Sequence, residues 1–448
     1  MTDGDESRFL LDLAEMIVGS AKACGADEAE ATVSDGREFD VDVRRGRIEN
    51  LVEAGSRVVS FRVIKDGKTA HAATSDLKPE TISRLVGNAV RRAELGSADE
   101  YAGLPPLASE RVDIPSLRLS DPDVPRLKPD RKIRLALETE RIALQDRRIT
   151  NSHGASFISH EVTTALAASN GFSGSYDQTF CSLSVGLQAG DTDRRVEDDW
   201  VSVDRFFKNL ESPETVAKKA VERTVRQLNP RKIRTQTVPV VFEPGMTDWL
   251  VGFLFSCVSA VAVYQKTTFL VGRLGERIGN DTLTVIDDAL LPGKLGSRPF
   301  DSEGVPCQKT TVFEQGILRQ YLSNTYAGRK LGLSSTGNSD GGGIGPNNFF
   351  LVPGTFSQKE IIASLDKGLV LTRTIGHGLN PVTGDISRGA FGLWVEGGEV
   401  AFPVSEVTIS GNLGEILSRV EMVGNDLDFR SPVCGPMIKI GALTVAGE

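Results

Sequence analysis

The sequence predicts an α+β fold with two domains, and three observations carry this prediction. Runs of alternating apolar and polar residues, typical of half-buried strands, occur in both halves of the 448-residue chain. Short turn dipeptides such as Asn170-Gly171 join some of these runs, which favours antiparallel hairpins. The strand-like runs follow one another instead of alternating strictly with helices, which argues against a doubly wound parallel sheet.

The first domain is predicted over residues 1–228 and combines helices with an antiparallel sheet. Apolar residues at helical spacing predict the helices, alternation predicts the strands, and Asp66-Gly67 predicts a hairpin turn. Six prolines between 103 and 130 predict a linker or a long wrapping loop. The predicted elements are helices at Phe9–Ala23, Ile82–Val90, Asp130–Leu144 and Pro213–Leu228, and strands at Glu38–Arg44, Arg57–Ile64, Lys68–Ala73 and on both sides of Asn170-Gly171.

The second domain is predicted over residues 233–448, after a boundary at Asn229-Pro230-Arg231-Lys232. It should be rich in antiparallel sheet and barrel-like. The predicted strands are Thr237–Phe242, Thr282–Ile286, Lys309–Phe313, Leu318–Leu322, Leu369–Thr374, Phe391–Glu396 and Glu399–Pro403, with helices at Met246–Ala262, Ser357–Leu365 and Leu413–Arg419.

Composition and charge limit the function classes. The net charge is −9 with a sequence pI near 5.3, and a protein that binds nucleic acid directly would normally carry a basic stripe to neutralise phosphates. The acidic start of the chain argues against a secretory signal, and the longest apolar stretch, Trp249–Val263, is short for a membrane span. Five scattered cysteines without a CxxC pair indicate reduced thiols. We therefore expect a cytoplasmic protein without a direct nucleic-acid or membrane partner.

The sequence has few residues that are candidates for metal ligands or for a catalytic nucleophile. A catalytic zinc site needs three protein ligands, and the chain has four histidines in all, His71, His153, His160 and His377. His153 and His160 lie seven residues apart in a predicted strand, which should place them on opposite faces. His377 is the best candidate ligand, with Asp385 and Cys434 in segments that could converge on it.

The cysteines Cys307 and Cys434 and the glycine-rich run Ser335–Asn348 could each suggest a functional site, and for both features we prefer a purely structural explanation. The sequence has no GxSxG elbow, and Cys307 and Cys434 are expected to be ordinary thiols. The glycine-rich run Ser335–Asn348 lacks a GK[ST] ending, so we expect a flexible loop instead of a phosphate cradle. Its functional alternative is a mobile lid over a cleft, or backbone offered to an extended peptide.

The run Asn380–Asn412, NPVTGDISRGAFGLWVEGGEVAFPVSEVTISGN, resembles the C-terminal signature of the TldD/PmbA family, once called modulators of DNA gyrase, and its PmbA (TldE) branch in detail. The resemblance extends over essentially the whole chain. Further matching segments are ATSDL at 73–77, RKIRTQTVPVVFEP at 231–244, the run from Ser297 to Gly332, SSTGN at 334–338 and the ending GALTVAGE.

The resemblance implies a subunit without a metal of its own. The TldD branch carries zinc on an HExxxH helix just before a segment similar to Leu270–Asp288, and the corresponding helix here, DWLVGFLFSCVSAVAVYQK, has no histidine. The resemblance therefore implies a heterodimeric peptidase in which a TldD-like partner holds zinc and cuts unfolded or leader peptides. This chain would shape the substrate channel and would be inactive alone, with a homodimer possible when the partner is missing.

Cleft-lining residues are expected in the signature segment. The family's C-terminal domain forms the active-site side, so the candidates are His377, Asn380, Asp385, Ser387 and Arg388, and Asp385 could pair with Arg388 across a turn. No catalytic or metal-binding residue is expected. Two alternatives stay open: a homodimeric peptidase with a non-standard metal or thiol site at His377 and Cys434, or a non-enzymatic regulator of gyrase or of a toxin–antitoxin pair.

Overall fold

The structure, a computed structural model, describes residues 3–191 and 195–448 and confirms the α+β class. Strands form wherever alternation is regular, and helices form where apolar residues recur every three or four positions. The first half contains α1 (Asp3–Ala23), β1 (Glu28–Arg44), β2 (Arg47–Lys65), β3 (Lys68–Thr74), α2 (Pro79–Glu94), α3 (Ile114–Leu117), α4 (Pro129–Ala143), β4 (Ile149–Ala168), β5 (Ser173–Ala189), β6 (Val196–Asp204) and α5 (Pro213–Val225).

The strands β1 to β6 form one antiparallel sheet in the order β3-β2-β1-β4-β5-β6. The odd-numbered residues of β1 face the helices: Val33 packs with α1 and α2, while Val41 packs with α4 and α5. The turns at Asp66-Gly67 and Asn170-Gly171 are confirmed, and each glycine has a positive φ. The strands of this sheet are longer than predicted. Near Asp35 polar residues interrupt the apolar alternation on which the prediction rests, but the strand continues through them.

The second half contains β7 (Gln236–Phe242), α6 (Pro244–Val258), α7 (Ala260–Tyr264), β8 (Val285–Asp288), β9 (Lys309–Glu314), β10 (Ile317–Leu318), α8 (Thr325–Leu331), β11 (Ser339–Asp340), β12 (Gly343–Ile344), β13 (Phe349–Leu351), α9 (Gln358–Ala363), β14 (Lys367–Ile375), β15 (Leu379–Asn380), β16 (Asp385–Glu396), β17 (Glu399–Asn412), α10 (Leu413–Ser418), β18 (Val420–Val423), β19 (Val433–Cys434) and β20 (Ile438–Ala446). These elements include the sheet-rich, barrel-like region that the sequence predicts.

Five strands close into a barrel in the order β14-β7-β20-β17-β16, because β16 pairs back with β14. A second sheet, β10-β9-β8-β13-β19, lies beside it. The helix α6 shares one hydrophobic core with both: Phe253 and Leu254 are buried together with Phe242 of the barrel and Phe349 of the second sheet. The barrel thereby fixes α6 in place.

Several predicted boundaries in the second half are wrong. The helix predicted over Met246–Ala262 is two helices, because Ser259 adopts an extended conformation and forms a bridge with Leu322. The strand predicted at Leu318–Leu322 covers only Ile317–Leu318, and the one predicted at Thr282–Ile286 begins at Val285. At Ser259 the contact with Leu322 overrides the local helical pattern.

A buried arginine joins the two halves. Arg205, at the end of β6, is 3% exposed and donates from Nε to the carbonyl of Lys294 and from Nη2 to the carbonyls of Leu295 and Ser297, at 2.8–3.1 Å. Burial lowers the pKa of its guanidinium to about 10. Since its partners are backbone carbonyls, this contact fixes the position of segment 294–297 against the first sheet.

Candidate functional site

The helix α6 stands at the position where the sequence resemblance would place metal ligands. Its apolar composition is continuous from Trp249 to Phe255, and Leu250, Phe253 and Cys257 are buried in the barrel core. Its one carboxylate is Asp248, on the second turn. A helix this apolar is buried on most of its surface and presents few polar groups to a substrate.

Asp248 contacts the segment that contains Cys434. Its Oδ1 accepts a hydrogen bond of 2.7 Å from the backbone N–H of Gly435. Burial raises the pKa of Asp248 to about 7, against the opposing influence of that hydrogen bond and of Arg430. Cys434 is buried, its Sγ donates to the carbonyl of Ser431 at 2.9 Å, and burial raises the pKa of its thiol to about 11.

A cavity of about 480 Å³ opens between the two halves at the start of α6. The first half contributes Trp200 of β6 and charged residues of α5, and the second half contributes Asp248 and Arg430. The guanidinium of Arg430 lies 4.1 Å from the ring centre of Trp200, a cation–π contact across the two halves. Glu243, at the helix start, accepts two hydrogen bonds from Arg226, at 2.7 and 2.8 Å. The cavity wall is therefore polar and carries charges of both signs.

The structure places the five predicted cleft residues on one corner of the barrel. His377 is exposed on the turn between β14 and β15, Asn380 is exposed at the end of β15, and Ser387 is exposed on β16. Arg388 lies over the ring of Trp249, with its guanidinium carbon 5.0 Å from the ring centre. This contact connects the signature segment to α6, but a role in lining a cleft stays a prediction.

Asp385 and Arg388 do not form the pair that the sequence suggested. Asp385 accepts hydrogen bonds from Thr383 Oγ1 at 2.6 Å and from Asn412 Nδ2 at 3.0 Å, which lower the pKa of its carboxyl. The side chain of Arg388 instead lies against α6, as described above. The corner is therefore closed by an Asp–Asn contact between β16 and β17.

The other histidines are separate from this corner. His153 and His160 were expected on opposite faces of their strand, and this is wrong. A β-bulge between Ser152 and Gly154 shifts the register, so that both side chains lie on the same face. His153 lies 3.6 Å from Glu197, and His160 lies 3.9 Å from Glu38.

The family resemblance raises the question of a metal. Within residues 3–191 and 195–448, no group of three or more His, Cys, Asp or Glu side chains could hold a metal ion. The residues present therefore do not fit a zinc centre of the kind that peptidases use. The buried thiols do not suit nucleophilic chemistry either, since burial raises the pKa of Cys257 to about 11 and of Cys181 to about 12.

The glycine-rich run Ser335–Asn348 is not the flexible loop that we expected. Asp287, fully buried, accepts hydrogen bonds from Asn338 Nδ2 at 2.7 Å and from the backbone N–H of Asn347 at 2.9 Å. Asp301, 2% exposed, accepts from the backbone N–H of Ser339 at 2.9 Å. Only the tip, 340–342, is fully exposed. Buried carboxylates from elsewhere in the chain hold the run as the hairpin β11–β12.

Sequence reasoning missed several residues of the cavity between the halves. Trp200 and Arg430 lie 230 positions apart and carry no motif, so local patterns could not bring them together. The signal that was available for Asp248 is its isolation: it is the one carboxylate in an otherwise apolar helix, a position where a buried charge has to be compensated.

Three family models match successive parts of the chain, described as PmbA/TldA metallopeptidase domain 1 over residues 29–93, the central domain over 122–228 and the C-terminal domain over 235–447. The chain is 36% identical to Metalloprotease PmbA of Escherichia coli O157:H7, over 94% of this chain and 93% of that protein. It is 35% identical to a PmbA homolog of Haemophilus influenzae, over 94% and 92%.

Solved structures share the fold. A crystal structure from Thermotoga maritima, described as a candidate modulator of a DNA gyrase, aligns with a TM-score of 0.89 at 27% identity, over 97% of this chain and 99% of that one. One from Bacteroides thetaiotaomicron with a similar description aligns with a TM-score of 0.90 at 26% identity over the whole of both chains.

These likenesses define the class of protein, which is a two-domain α+β protein of metallopeptidase type with a closed barrel in its second half. The chain belongs to the PmbA/TldD family. In the part of the chain that the structure describes, no helix is both long enough and apolar enough to cross a membrane.

Proposed function

We propose that this chain is the PmbA/TldE-like subunit of a cytoplasmic heterodimeric peptidase. A TldD-like partner supplies zinc and cuts unfolded or leader peptides, and this chain shapes the substrate channel. The observation that carries the proposal is α6, which is apolar and buried along the stretch where the resemblance would place the ligands. A metallopeptidase needs a bound water of lowered pKa, and this helix has no histidine and only one carboxylate, Asp248.

The cavity between the two halves supports a role in binding peptide. Its wall combines an aromatic ring, Trp200, with the carboxyl of Asp248 and the guanidinium of Arg430. Such a surface can contact an extended chain through hydrogen bonds and ring stacking. Asp248, with a pKa of about 7, can hold or release a proton near neutral pH, and that property alone cleaves no peptide bond.

A cleavage assay on the reconstituted pair tests the proposal. A TldD-like protein is incubated with an unfolded peptide, alone and with an equimolar amount of this chain, and product is measured by mass spectrometry. We expect cleavage to require both proteins and zinc to co-purify with the partner. Unchanged cleavage by the partner alone would contradict the proposal, as would one tightly held zinc per copy of this chain purified alone.

The homodimeric alternative predicts a different dependence. It assigns a site to His377 and Cys434, so His377→Ala should abolish a cleavage activity of this chain alone. The structure supports this alternative weakly: His377 is on an exposed turn, and Cys434 is a buried thiol whose pKa is raised. The regulator alternative predicts co-purification with a protein target without peptide cleavage, and the negative charge of the chain does not oppose it.

A further inference from the structure

The cavity between the two halves has four cations in its wall, and each of them already has a carboxylate partner. The pairs are Lys219 with Glu211 at 2.5 Å, Arg223 with Asp198 at 3.1 Å, Arg226 with Glu243 at 2.7 Å and Arg430 with Asp428 at 3.0 Å. Of these four carboxylates, Glu243 lines the cavity and the other three lie outside its wall. The cations are therefore neutralised largely by groups that the cavity itself does not contain.

Three carboxylates of the cavity wall remain without a paired cation. Asp199 and Glu222 are exposed, and Asp248 of α6 is half-buried. Among residues 3–191 and 195–448, no cationic group lies within 4 Å of any of these three carboxylates. Arg223 and Arg373 attract Asp199 from a longer distance, but Arg223 already has its own partner. The cavity therefore has an excess of negative charge.

Asp248 is the carboxylate of this group that is least compensated for its burial. The hydrogen bond from Gly435 engages its Oδ1, and the attraction of Arg430 is opposed by the repulsion of Asp428. Burial outweighs these influences and raises the pKa of Asp248 to about 7. A partly buried carboxylate without a counter-ion is costly, and a cation that entered the cavity would relieve that cost.

The same cavity also has apolar surface in its wall. Met246 of α6 is half-buried, Met437 is 2% exposed, and both line the cavity. A lysine side chain combines a long apolar stem with a compact cationic end, and such stems pack on apolar surface. Its ammonium group has three donors, which suits carboxylates that approach from different elements, whereas the planar fork of arginine suits a single carboxylate.

We propose that the cavity between the two halves binds a lysine side chain of the peptide, with its ammonium group against Asp248. The exposed carboxylates Asp199 and Glu222 add attraction at longer range, and the stem packs on the methionine side chains. The inference rests on the proposed function because that function makes the ligand a peptide. It names the class of substrate, an unfolded segment that contains lysine.

Binding to the isolated chain tests the inference without any partner. Two capped decapeptides of alternating Thr and Ser carry the same uncharged dye and have either lysine or Nε-acetyl-lysine at the centre. Their affinities are compared by fluorescence anisotropy at pH 8, where Asp248 is mostly ionised because its pKa is about 7. We expect the lysine peptide to bind about tenfold more tightly, since acetylation removes a hydrogen-bonded charge pair. Equal affinity, or no binding of either peptide, would overturn the inference.

Variants of the chain test the carboxylates separately. Asp248→Asn should remove the preference and leave the affinity for the acetyl-lysine peptide unchanged, because the amide oxygen can still accept from Gly435. Glu222→Gln should reduce the preference by about two- to threefold, as expected for an exposed charge. Glu214→Gln is the matched control, an exposed glutamate of the same helix α5 that lies outside the cavity wall. A preference that survives Asp248→Asn, or that Glu222→Gln and Glu214→Gln change equally, would overturn the inference.

The source of the cation needs two further arms. A lysine-free decapeptide with a free amino terminus should bind no more tightly than the acetyl-lysine peptide, and n-butylamine should not displace the lysine peptide at the concentration at which that peptide binds. Tight binding of the free terminus would assign the cavity to chain ends, and displacement by n-butylamine would assign it to small amines, so either result would overturn the inference. Failure of cleavage with a TldD-like partner would leave these binding results unaffected.

Discussion

Two hairpins, one in each half of the molecule, are held in different ways. The turn between β1 and β2 is formed by Arg45 and Gly46, both at positive φ, and its strands pair along their whole length. The hairpin β11–β12 has only two residues in each strand, and buried carboxylates hold it from outside. The first hairpin has long paired strands, and Glu140 of α4 also accepts hydrogen bonds of 2.9 Å from the backbone N–H groups of Arg45 and Gly46. The second hairpin has little strand pairing of its own and depends on side chains 37 to 60 positions away.

The difference between the two hairpins shows under which conditions a glycine-rich sequence leads to flexibility and under which it does not. Glycine lowers the cost of turning the chain but does not decide whether the turn is anchored. Around Ser335–Asn348 the anchors are Asp287 and Asp301, which lie outside the run. Three predictions test this comparison, beginning with the strongest anchor, and a fourth concerns Asp248.

Removal of Asp301 should have the largest effect. Its carboxylate accepts three backbone hydrogen bonds, from Glu303 and Ser339 at 2.9 Å and from Val305 at 3.0 Å. Asp301→Ala leaves these donors buried without a partner, at about 1–3 kcal/mol each, so we expect a loss of about 4 kcal/mol in the free energy of unfolding. Urea denaturation measures it, and limited proteolysis should cut the variant near 340–342.

The matched control for this substitution is Asp281→Ala, at an exposed position. It removes the same type of side chain and should change the free energy of unfolding by less than about 0.5 kcal/mol. If both variants lost the same stability, the anchoring role of Asp301 would have to be abandoned.

Gly337→Ala should be the next most costly change. Gly337 has φ +72°, and a Cβ there would lie 2.9 Å from the Cα of Cys307 and 2.9 Å from the carbonyl oxygen of Pro306. Since both contacts are backbone atoms, the hairpin has to shift, and we expect a loss of about 3 kcal/mol from strain and displacement together. The shift should also expose the thiol of Cys307, whose Sγ now donates to the carbonyl of Gly337 at 3.1 Å, to a thiol reagent.

The prediction would be contradicted if, in Gly337→Ala, Cys307 stayed unreactive toward the thiol reagent and the free energy of unfolding did not change. The hairpin would then tolerate displacement. Gly341→Ala at the exposed tip is the matched control, because a Cβ there meets no atom within 4 Å. Gly341 has a positive φ like Gly337. Gly341→Ala therefore measures the cost of the left-handed backbone conformation in the absence of a steric clash.

The same contrast explains how much the sequence could predict. The long strands, the Asp66-Gly67 turn and the barrel-like second half follow from alternation and turn dipeptides, which act over a few residues. The break at Ser259, the anchored glycine-rich hairpin and the cavity with Trp200 and Arg430 depend on pairs far apart in the chain. A single sequence contains no signal for such pairs. The family resemblance identified the helix where metal ligands would stand, and the structure added Asp248 and the cavity beside it.

Asp248 offers a smaller effect that depends on pH. Its folded-state pKa of about 7 is raised above the ordinary value of 3.8, so its protonated form stabilises the fold. That contribution is fully present below about pH 4 and is lost as pH rises through about 7. Relative to Asp248→Asn, the wild-type chain should therefore lose stability between pH 4.5 and 7.5, by about 1–2 kcal/mol, measured by urea denaturation at both values.

Asp385→Asn provides a control of opposite sign. Hydrogen bonds from Thr383 and Asn412 lower the pKa of Asp385, so its contribution is lost only as pH falls below the usual carboxyl range. Between pH 4.5 and 7.5 this variant and the wild-type chain should show parallel stability. A slope removed by Asp385→Asn and kept by Asp248→Asn would reverse the assignment.

The smallest effect should come from the hairpin with long paired strands, β1–β2. Gly46 has φ +70°, nearly the value of Gly337, but a Cβ at Gly46 would meet no atom within 4 Å. Gly46→Ala therefore costs only the left-handed conformation of a residue with a side chain, about 1 kcal/mol. Gly55→Ala, on β2 and without a positive φ, should cost less still. Because Gly46 and Gly337 share their backbone conformation, the difference between their losses measures the cost of the collision between a Cβ at 337 and the backbone of Pro306 and Cys307. Equal losses would mean that the glycine-rich hairpin accommodates the added Cβ without a cost of its own.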